Sequence, residues 1–98
     1  MLKNYTETAE SKIFALKAKR AEAHEDRQVN FDLAINLVKL RTAHNKSQIE
    51  MANDLSVNQK NISQWESATV TPSLRYLKLL AWYYDVTVDE LLKVDDIQ

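Results

Sequence analysis

The 98 residues contain no glycine and a single proline, so the chain marks its turns almost without the two residues that punctuate backbone most strongly. Helix boundaries must then come from side-chain caps, and caps recur along it. Ser47-Gln48-Ile49-Glu50 and Thr87-Val88-Asp89-Glu90 are capping boxes, in which hydroxyl and carboxylate each satisfy a backbone N–H that the first helical turn leaves unpaired. Asn58 suits an N-cap, and so does Ser73 after Thr71-Pro72. Asn30 offers another, with Asp32 in the first turn where negative charge suits the helix dipole. From there Leu33, Leu37 and Leu40, with Ala34 and Val38, recur at helical spacing through about Ala43. Later helices carry Met51, Ala52 and Leu55, then Ile62 and Trp65, then a run from Ser73 to about Tyr84, then Leu91 and Leu92. Residues 7–27 have few breakers and many helix formers. No strand-like alternation persists, so the chain reads as all-α. Residues 1–30 form an N-terminal helical extension and residues 31–98 a single domain.

Composition removes most chemistry. Without glycine the phosphate-cradling loops of nucleotide enzymes have no candidate, because the backbone there must approach phosphate closely. Without cysteine there is no disulfide, thiolate zinc site or cysteine nucleophile. His24 and His44 have no second histidine at metal spacing. No nucleophile–base or metal constellation exists, so the reading is a non-enzyme needing no cofactor. No stretch approaches the ~20 apolar residues that span a bilayer, and residues 1–7 lack the apolar run of a secretory signal. The expectation is a soluble, cytoplasmic protein. The net charge of −1 is unevenly spread. Asp85, Asp89, Glu90, Asp95 and Asp96 lie beyond Tyr84, whereas Lys39, Arg41, Lys46 and Lys60 precede them. A fold that segregates those ends has one face able to meet a polyanion.

The informative stretch is residues 47–66. Two short helices are joined by a turn of three or four residues, Ala52 sits where the helices must approach, and Val57 and Ile62 supply apolar contacts between them. That is the pattern of a helix-turn-helix, whose second helix enters the DNA major groove.

Residues 33–92 resemble the Cro/phage-repressor type of helix-turn-helix domain, the xenobiotic-response-element family. The matching pieces are Leu40-Arg41, Ser47-Gln48, Met51-Ala52 and Leu55-Ser56-Val57. They continue with Asn58-Gln59, Ile62-Ser63, Trp65-Glu66, Pro72-Ser73, Leu77, Leu80-Ala81 and Val86-Thr87-Val88-Asp89-Glu90-Leu91-Leu92. The resemblance implies a five-helix bundle, here with an additional N-terminal helix. It further implies a transcriptional repressor that binds a two-fold symmetric operator in double-stranded DNA as a homodimer, with residues 86–92 as the dimer surface. Carried over by position, the reading residues are Gln48, Asn58, Gln59, Lys60, Ser63 and Gln64. Gln and Asn can bond an adenine edge in bidentate fashion, and Lys can reach guanine or phosphate. Gln48 begins its helix and suits phosphate. Lys46 and Lys39 are further phosphate contacts, with Asn61 and Thr69 as additional candidates. The family usually has glycine where this chain has Ser56 and Ala68, at left-handed backbone, and a Cβ costs roughly 1 kcal/mol there.

Other residues read as structural. Trp65 reads as packing, and Arg41 with Glu66 as a structural pair between the first and third domain helices. Leu74, Leu77, Ala81 and Tyr84 are expected to face inward, with a second stripe of Tyr76, Leu79 and Tyr83 and Trp82 beside it. In residues 1–30, Ile13, Phe14, Leu16, Ala18 and Ala21 give an apolar patch beside the basic Lys12, Lys17, Lys19 and Arg20. Three roles are open to this arm: packing on its own domain or extending the dimer, docking another protein, or touching DNA. The layout also resembles HigA-type antitoxins, which implies as the alternative that the N-terminal helix holds a toxin protein while the domain regulates its own operon.

Overall fold

The capping residues Ser47, Asn58, Ser73 and Thr87 each open a helix in the computed structural model, which describes residues 8–94. Thr8 and Ser11 form a further capping box at the start of the arm. Among the described residues the chain is all helical: α1 (Ala9–Glu22), α2 (Glu25–Ala43), α3 (Gln48–Leu55), α4 (Gln59–Glu66), α5 (Leu74–Tyr84) and α6 (Val88–Leu92). Asp95 and Asp96 of the acidic end, and residues 1–7, lie outside the described residues.

Asn30 does not cap a helix. The helix expected to start there begins at Glu25, with Glu25 and Asp26 supplying negative charge to its first turn. Its N-cap, His24, makes no side-chain cap hydrogen bond. Instead Gln28 reaches back and donates from Nε2 to the Arg20 and Ala23 carbonyls (3.3 and 3.4 Å), closing the joint between α1 and α2. Asn30 lies within α2 and accepts from the Thr71 hydroxyl (2.8 Å). Asp32 does not serve the helix dipole either: it is buried within α2 and takes Arg20 Nε at 2.6 Å.

Turning without glycine is achieved by one repeated device. Helices α2, α3, α4 and α5 each run into a residue with positive φ: Asn45, Ser56, Ala68 and Asp85, at 56–63°. In each case the next N–H bonds the carbonyl five residues back: Lys46 to Arg41, Val57 to Ala52, Thr69 to Gln64, Val86 to Ala81, all at 3.0–3.1 Å. This is the Schellman closure usually made with glycine.

Two apolar clusters share α2. Leu33 and Leu37 join Met51, Ala52, Leu55, Ile62, Trp65, Leu77, Leu80, Ala81, Tyr84 and Leu91 in the domain core, with Leu40 and Val57 at its edge. Phe31, Ala34, Ile35 and Val38 pack instead against Leu16 of α1 and against Ala68. The arm therefore packs on its own domain. On α5 the inward set is Leu77, Leu80, Ala81 and Tyr84, while Leu74, expected inward, is 79% exposed. Including Leu80 turns the buried face away from Leu74, which lines up with exposed Lys78 and Trp82. Tyr76, Leu79 and Tyr83 lean on the core, covering most of the remaining circumference. No described helix is long and apolar enough to cross a membrane.

Candidate nucleic-acid interface

The turn from α3 to α4 consists of Ser56, Val57 and Asn58, and Ala52, nearly devoid of solvent, allows the close approach. Asn58, the N-cap of α4, is exposed, as are Gln59, Lys60 and Ser63 on the helix itself, and Gln64 is half-buried. Ile62 and Trp65 lie on the opposite side, in the core. Trp65 packs on Tyr76 with ring centroids 5.3 Å apart, which fits the packing role read from the sequence.

Behind this surface lies a fully buried carboxylate, Glu66. Arg41 grips it with two hydrogen bonds, Nε to Oε2 at 2.7 Å and Nη2 to Oε1 at 3.0 Å, joining α2 to α4. Gln48 Nε2 donates to Oε1 at 3.0 Å, and Lys12 Nζ of α1 stands 3.1 Å from the same oxygen. Burial by itself raises the carboxyl pKa. The hydrogen bonds from Arg41 and Gln48 and the charges of Arg41 and Lys12 outweigh it and hold Glu66 below its ordinary value.

An ionised carboxylate only accepts, which gives the adjoining amides a direction. Gln48 must turn its NH2 toward Glu66, leaving its Oε1 for Gln59 Nε2 at 2.9 Å. Gln59 thereby has one N–H engaged and keeps its carbonyl oxygen and second N–H, one acceptor and one donor. An adenine edge in the major groove requires that pair. Asn58 differs: its Oδ1 caps α4 by accepting from the Lys60 N–H at 3.0 Å, so its remaining capacity is chiefly as donor.

Lys46 is paired with Asp54 at 3.0 Å, and both are substantially exposed. The Tyr83 hydroxyl and then Lys46 hold the Asp54 carboxyl below its usual value. Burial and then the bond to Asp54 push the Tyr83 phenol up to about 12. Such an exposed pair is weak enough for a phosphate to compete with. Lys39 lines a groove between α2 and α6 with Asn36, Leu40, Val86, Glu90, Lys93 and Val94. Asn61 borders a different groove, beside Trp65 and Tyr76, and Thr69 shares a hydrogen bond with Ser67. In the arm, Lys12 and Arg20 face inward to ion pairs with Glu66 and Asp32, so that basic cluster is partly committed internally. Lys12 is the site residue that the sequence hid, since it lies 54 positions from its partner and no local pattern marks the contact. Among the described residues no three His, Asp or Glu side chains are grouped to hold a metal.

A family model described as helix-turn-helix matches residues 37–91. The chain is also similar to the HTH-type transcriptional activator BcrR of Enterococcus faecalis, with 38% identity over 61 residues. That match covers 62% of this chain and 30% of the relative's length. No solved structure matches it significantly. With more than half its length in one family match and the turn, core and outward helix face in place, the chain belongs to the helix-turn-helix family of the Cro/phage-repressor type.

Proposed function

We propose that this chain is a cytoplasmic repressor that binds a two-fold symmetric operator as a homodimer, with α4 in the major groove. The observation that carries the reading is the directed amide pair. Gln59 is exposed on α4 and oriented by Gln48 so that an acceptor and a donor remain for an adenine. Lys60 and Ser63 flank it on the same exposed helix, and Gln64, Lys46 and Lys39 are assigned supporting contacts. Repression by occlusion needs only occupancy of a site overlapping a promoter, and occupancy is what this surface supplies. Two copies reading half-sites about one helical turn apart account for a symmetric operator.

The test is selection from a random duplex library, followed by titration of the enriched duplex at several salt concentrations. Gln59→Ala should weaken the enriched site by roughly 1–3 kcal/mol and relax one base position per half-site. Lys60→Ala should lower the salt slope by about one if Lys60 meets phosphate, and leave it unchanged if it reads guanine. Enrichment of no sequence over random duplex rejects the proposal, and an enriched site lacking symmetry rejects the dimer.

A second reading, in which α1 also holds a partner protein as HigA-type antitoxins do, draws on Phe14, which is 75% exposed on α1 while Leu16 is buried. Capture of a co-encoded protein by the intact chain and its loss in Phe14→Asp would support it.

A further inference from the structure

We propose that Lys12, on the arm outside the family match, is a positioning residue for the reading surface: its ammonium fixes the Glu66 oxygen that directs Gln48 and, through it, Gln59. The inference rests on α4 being the DNA-reading helix. Lys12, Leu16 and Arg20 stand at i, i+4 and i+8, one face of α1. That face makes an ion pair, an apolar contact and a second ion pair with the domain. Leu16 is 4% exposed and anchors the helix one turn from Lys12, so the ammonium is aimed rather than swinging in solvent.

Glu66 Oε2 is held by Arg41 Nε, whereas Oε1 receives Arg41 Nη2, Gln48 Nε2 and Lys12 Nζ, all within 3.1 Å. Three donors converge on one oxygen, and the position of each constrains the other two. Without Lys12, Oε1 can rotate toward Arg41 and Gln48, and the Gln48 amide follows. Because Gln48 Oε1 accepts from Gln59 at 2.9 Å, the change reaches the exposed amide on α4. A four-member chain thus runs from α1 to the reading face: Lys12, Glu66, Gln48, Gln59.

The experiment compares the intact wild-type chain with Lys12→Met, Lys12→Arg and Asp32→Asn. The last weakens the other ion pair of α1 without touching Glu66. Side-chain amide resonances of Gln48 and Gln59 are recorded without DNA, and base preferences are measured on random duplex libraries. Lys12→Met should shift both amide resonances and reduce discrimination at the base position that Gln59→Ala relaxes, by about threefold to tenfold, the range one orienting hydrogen bond supplies. Lys12→Arg should restore both, and Asp32→Asn should move neither. Wild-type resonances and preferences in Lys12→Met overturn the inference, as does the same change in Asp32→Asn, which would make Lys12 a mere tether. A wild-type chain that enriches no sequence removes the DNA reading itself and this inference with it. An enriched wild-type site with an unaltered Lys12→Met profile removes this inference alone.

Discussion

Ser56 and Ala68 occupy the same left-handed conformation as Asn45 and Asp85, but not on equal terms. Asn and Asp visit that region readily, whereas an alanine or serine Cβ crowds the following carbonyl. Ser56 is exposed, so Ser56→Gly relieves the crowding and removes no packing. Set against the greater freedom of glycine in the unfolded chain, the expected gain is about 0.5–1 kcal/mol, a rise of roughly 2–8 °C in Tm. Ala68 is buried among Leu16, Phe31 and Val38, so Ala68→Gly also loses a packed methyl and should gain less; thermal unfolding of the two variants makes the comparison. The strained pair was legible in the sequence because the resemblance implies glycine at both positions and the chain has none. Asn45 and Asp85 were not, since residues that tolerate the left-handed region leave no visible departure.

Among the elements, the arm behaves as part of the body. Leu16→Ala should destabilise the chain by about 2–5 kcal/mol in urea unfolding, because it opens the cluster around Phe31, Ile35 and Val38. Phe14→Ala, on the exposed side of the same helix, should change stability by less than about 0.5 kcal/mol. Equal effects would mean that α1 is not docked as described. Helix starts with a hydroxyl or amide cap were readable from local chemistry at Ser47, Asn58, Ser73 and Thr87. The start of α2 was not, because the His24 side chain caps no backbone N–H and the joint is closed from Gln28 instead. Asn30 looked like a cap, while its side chain was committed to Thr71, 41 residues away.

For the molecule as a whole, Glu66 is where four helices meet, and acid should find it. Its carboxyl is held below the ordinary value of 4.5 in the folded chain. The unfolded state therefore takes up the proton first as pH falls. The stabilisation is complete above about 4.5 and drains away as pH drops through the lower folded value. Glu66→Gln should lower stability at neutral pH by on the order of 3 kcal/mol and flatten the loss below pH 4.5, measured by chemical unfolding at stepped pH. An equally steep acid limb in the variant would assign the loss to other carboxyls. The Arg41–Glu66 pair and the exposed polar residues of α4 were visible in the sequence as residue types at matched positions. The direction of the amide chain was not, since it depends on a buried charge and on a lysine from a distant helix.

Helix α2 has both long sides claimed, one by each apolar cluster. A chimera that borrows only the stretch matching the family, from residue 37 onward, would saw this shared beam in two. It would forfeit Leu33 from one side and bare Val38 and Ala68 on the other. Whoever transplants this helix-turn-helix to a new scaffold will have to carry the arm along as part of the graft.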